Sequence, residues 1–138
     1  MGDLRSCTRL LASSTVSHAH QGDLNAVTAS FRDGLRLADS LRTEPALISY
    51  LVRVSCHAAT LSGLERALSL TAFTDRQLAE LSDAIAATDG SLDLVQAIVG
   101  ERCAAIDCLR NPSLPSGSGE IGVLMRLLVM NPSGQPGD

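Results

Sequence analysis

Apolar side chains recur every three or four positions along most of this chain, which predicts helices rather than strands. Leu4, Cys7 and Leu11, with Ser14 and His18, mark one face of a first helix over residues 3–20. Gly22 can end that helix in the left-handed region, and Asp23 can cap the next. Leu24, Val27, Phe31, Leu35, Ala38 and Leu41 then form the apolar face of a second helix reaching about Arg42. Thr43-Glu44-Pro45 opens a third, with Thr43 as cap and Pro45 in a first turn that does not need its N–H. This helix runs to about residue 70. Leu47, Ile48, Leu51, Val52, Val54, Ala58, Ala59, Leu61, Leu64 and Leu68 cover more than one of its faces. A helix apolar on two faces belongs between others, so it should be the buried spine.

Thr74-x-x-Gln77 is a capping box that starts a fourth helix, with Leu78, Leu81 and Ile85 as its buried edge. Asp89-Gly90-Ser91 separates it from a fifth, whose line of Leu92, Val95, Val99, Cys103, Ile106 and Leu109 ends near Arg110. These elements predict an all-α fold: an antiparallel bundle, or helical hairpins, of five to six helices. Residues 1–110 form the helical core domain. Residues 111–119, rich in Pro, Ser and Gly, form a flexible linker. Residues 120–130 form an apolar C-terminal helix that packs on the core or on a partner, and 131–138 a disordered tail.

Composition narrows the function classes. The 138 residues suffice for one domain with a core. All 11 basic residues are Arg, and the net charge of −4 argues against nucleic acid, which requires a basic face. Phe31, Tyr50 and Phe73 are too few and too scattered to stack bases. No run of about 18 apolar residues predicts a membrane span, and the N-terminus lacks the apolar core of a secretory signal. A cytoplasmic location follows, or else a piece of a longer exported or anchored protein. Cys7, Cys56, Cys103 and Cys108 lack the tight pairing of a zinc site and read as buried thiols.

Candidate chemistry is sparse. Tyr50, Arg53, His57 and Thr60 share one polar stripe on the third helix. They form either the solvent edge of a central helix or a groove for an acidic ligand, with Arg53 as the anion partner. Arg102 lies near the apolar line of the fifth helix. It either lays its stem along the core with its head in water, pairs with Glu44 or Glu65, or serves an anion site. Cys56 and His57 diverge by about 100° on a helix, as adjacent residues must, so they cannot act as nucleophile and base. His18 and His20 diverge likewise. No phosphate loop, dinucleotide-binding glycine pattern, nucleophile elbow or two-His zinc motif is present. No catalytic residue, cofactor or metal is expected.

Ala19-x-x-Gly22, then Ala26, Phe31, Ala38 and Pro45, resembles the second half of a tetratricopeptide repeat, with its order of small, aromatic, small and closing Pro. The spacing is stretched by about two turns relative to that repeat, and its Trp and Tyr positions are unfilled. Gly22 to Val27 also aligns with Gly90 to Val95 at twice that family's period. Glu44 to Val52 is similar to a stretch found in uncharacterised bacterial helical proteins. The resemblance implies stacked helical hairpins. Stacked antiparallel helices, the absence of catalytic motifs and the apolar C-terminal segment make the leading expectation a non-enzymatic interaction or scaffold module that binds a protein or itself through residues 120–130. The alternative is a small-ligand or anion-binding domain built on Tyr50, Arg53, His57 and Arg102.

Overall fold

A computed structural model describes residues 2–88 and 93–110. Five helices occupy them: α1 (Gly2–Gln21), α2 (Leu24–Asp39), α3 (Leu47–Leu70), α4 (Asp75–Ala86) and α5 (Asp93–Arg110). No strand occurs among the described residues, so the fold is an all-α bundle. The linker, the apolar segment 120–130, the tail and the Asp89-Gly90-Ser91 turn lie outside the described residues, as do residues 90–92 of the second copy of the internal match.

Most of the local signals act where the sequence places them. Gly22 has φ +75, in the left-handed region that glycine enters without a Cβ clash. Asp23 accepts from the Ala26 N–H and caps α2. Thr74 and Gln77 form the full capping box of α4. The start of α3 differs. Its N-cap is Ala46, which has no side chain to offer, and Thr43 lies outside the helix. The missing cap comes from elsewhere, as described below.

α1, α2 and α3 form the body. Ala19 and Val27 meet Ala67 at one end. Phe31 and Leu35 pack on Leu64 and on Leu81 of α4 in the middle. Ala38, Val52 and Cys56 meet beside Leu4 at the other end. These layers make α2 antiparallel to both α1 and α3. Small residues bring the helices close. A Cβ on Gly63 would lie 3.0 Å from Ala12, and one on Gly34 would lie 2.8 Å from Thr60. Buried threonines fill the seams by donating their hydroxyls to the carbonyl four residues back, as Thr8, Thr15, Thr28 and Thr60 do. This rotates the buried face of α1 from the predicted Cys7 line to Thr8, Thr15 and Ala19, leaving Cys7 exposed. Cys103 is exposed too; of the four free thiols only Cys56 is buried.

α3 touches α1, α2 and α5, so it is central. It is not buried all round. Val52, Cys56, Thr60, Leu64 and Ala67 line its inner face, while Leu51 and Val54 on the opposite face are about half exposed. By length and composition alone, α3 is also the one helix among the described residues long and apolar enough to cross a membrane, with an 18-residue window of mean hydropathy 1.2. Its Leu, Ile, Val and Ala residues keep the helix apolar on average although Ser, Thr, Arg and His interrupt any continuous run. α4 adds Leu81 to the core and leaves Leu78 and Ile85 at 43% and 40% exposure, so its buried edge is one side chain wide.

Candidate functional site

The polar stripe of α3 faces inward. Arg53 is 5% exposed and Thr60 3%. His57 and Tyr50 are half-buried. Arg53 Nε lies 3.4 Å from Asp39 Oδ1, at the end of α2, and the same oxygen is 3.2 Å from His57 Nε2. On its other side the guanidinium contacts Asp93, the first residue of α5. Arg42 Nε approaches that carboxylate at 3.6 Å. Charges alternate along the row His57, Asp39, Arg53, Asp93, Arg42, and with His57 neutral they sum to zero. Such compensation is what lets an arginine sit in a low-dielectric interior. The Asp93 Oδ2 oxygen is buried and accepts no directed hydrogen bond, although two guanidinium groups lie within ion-pair reach. That contact rests on charge more than on N–H direction.

The same helix pair supplies the absent cap. Glu101 of α5 accepts from the Leu47 N–H at 3.1 Å, so a carboxylate from another helix satisfies the first turn of α3. Glu44 accepts from the Ser49 hydroxyl beside it. Gly100 makes this approach possible, because a Cβ there would lie 2.0 Å from the Pro45 carbonyl oxygen. Asp93 opposite Arg53 and Glu101 opposite Leu47 set α5 antiparallel to α3. Its last nine residues, about 13 Å of helix, continue past the start of α3.

α5 is therefore inverted relative to its predicted orientation. The face toward α3 carries Asp93, Ala97, Gly100 and Glu101, and Ala97 is the one fully buried residue of the helix. The large apolar side chains point away. Val95, Ile98, Val99, Ile106 and Leu109 are 56%, 52%, 53%, 38% and 63% exposed, and fall within an arc of about 100°. Arg102, in the same arc, is exposed. It neither pairs with Glu44 or Glu65 nor joins Arg53 and His57, so the structure brings together two of the four residues singled out, Arg53 and His57, with Tyr50 beside them on α3. Asp39 and Asp93, which complete the arrangement, carry no signature beyond their positions at helix ends, and Glu101 lies in the middle of α5.

A groove of about 350 Å³ runs between α5 and the turn before α3, lined by Pro45, Val95, Val99 and Gly100 and rimmed by Arg42, Glu44 and Asp93. It opens onto the apolar arc. No group of three or more metal-ligating side chains occurs among the described residues. No family model, curated protein or solved structure matches the chain.

Proposed function

We propose that the chain is a non-enzymatic helical interaction module whose binding surface is the outward apolar face of α5. The exposure of Val95, Ile98, Val99, Ile106 and Leu109 on one arc carries this reading. Water penalises an apolar arc of this kind, which Arg102 alone interrupts, and such patches mark interaction sites. A partner helix would lay its own apolar stripe along the arc and place one side chain in the groove beside Pro45. The charged row belongs to the scaffold in this reading. Arg53 already has two carboxylates, which leaves it no charge to offer an anionic ligand, and its role is to set the position of α5.

Affinity capture with the full chain and its Val99→Asp variant tests the reading. A partner retained by the parent chain and lost by the variant, with unchanged circular dichroism, supports it. Equal retention by both places the binding surface elsewhere.

A further inference from the structure

We propose that the apolar face of α5 is also the docking surface for the chain's own segment Ile121–Met130, which covers it until an outside partner displaces it. This rests on the reading of α5 as a binding surface and names that surface's resident occupant. The segment holds eight Leu, Ile, Val or Met side chains in ten positions, with Arg126 the one charge. Such a sequence requires apolar cover. α5 offers an arc of matching length: Val95 to Leu109 spans about 21 Å, and ten helical residues span about 15 Å. The connection fits as well. The chain leaves α5 at Arg110, at the end of that arc, and residues 111–119 reach at most about 30 Å when extended. That is enough to turn back along the helix. Their Ser, Gly and Pro content imposes no other direction. A tether this short holds the segment at millimolar-scale effective concentration beside the arc, above any concentration at which a second copy would compete.

Hydrogen exchange on the full chain, read by mass spectrometry over residues 121–130, is the test. The expected result is exchange slowed roughly tenfold or more relative to unstructured chain, independent of protein concentration. Val99→Asp with Ile106→Asp should abolish that slowing while α1–α3 keep theirs. Leu124→Asp with Leu128→Asp, changed in the segment so that the body is untouched, should abolish it too and raise binding of a hydrophobic dye. Exchange at the unstructured rate in the parent chain overturns the proposal, as does slowing that survives both double variants. Slowing that grows with protein concentration alongside a dimer in sedimentation assigns the arc to a second copy and also overturns it. The two readings separate cleanly. Loss of the strap with Val99-dependent capture intact leaves the binding surface standing, whereas a strap sensitive to Val99→Asp with capture insensitive to it removes the partner and keeps the strap.

Discussion

The three-helix body and α5 are held by different physics. In the body, apolar side chains from α1, α2 and α3 interlock in three layers, and the close seams at Gly34 and Gly63 leave room for nothing larger. α5 turns its small and charged side chains inward and its large apolar ones outward. It is placed by an ion pair, a cap donated to a neighbouring helix and one glycine contact. Burial is non-directional and tolerant of small shifts, whereas charge pairs and caps specify a position. The lesson is that a helix can be set accurately on a fold while contributing little to its core, which turns its large apolar face outward for binding.

The contrast can be broken most severely in the body. Phe31→Ala, at a site with no exposure, should cost about 3–5 kcal/mol in denaturant unfolding and weaken every element together. Arg53→Ala should follow, because it removes the cation shared by Asp39 and Asp93 and leaves Asp39 with only His57 and Asp93 with only Arg42 beside it. Breaking a buried pair costs about 3–5 kcal/mol, and the partial exposure of Asp39, 29%, puts the expected loss at the lower end. Gly100→Ala sharpens the comparison. The new methyl cannot fit against Pro45, so α5 must shift at a cost of about 1–3 kcal/mol, seen as faster amide exchange in 93–110 with α1–α3 unchanged. Val99→Asp should be the mildest for the body, leaving the unfolding of α1–α3 within about 0.5 kcal/mol of the parent while removing the capture described above.

Much of the fold was legible because its signals are local. Gly22-Asp23 and Thr74-x-x-Gln77 act through neighbours three or four residues away, and the α2 face repeats at the helical period. The α1 register was less so, because a buried Thr that satisfies its own hydroxyl looks polar in sequence and behaves as a small apolar residue in the seam. For α5 the periodicity was correct and the direction was reversed: an apolar arc says that something covers it, not what. The stripe of Tyr50, Arg53 and His57 was visible as a stripe. That it faces inward depends on Asp39 and Asp93, which lie 14 residues before Arg53 and 40 after it. The cap on α3 was out of reach for the same reason, since Glu101 lies 54 residues from Leu47.

Charge, not core packing, holds α5 on the body. Residue-resolved amide exchange comparing the parent chain with Asp93→Asn tests it most directly. The variant removes the charge that Arg53 meets on α5 and leaves Asp39 in place. Amides of α5 should lose protection while those of α1, α2 and α3 keep the parent values, which marks a separate opening of the fifth helix. Equal loss across all four helices, or no loss in α5, would contradict it.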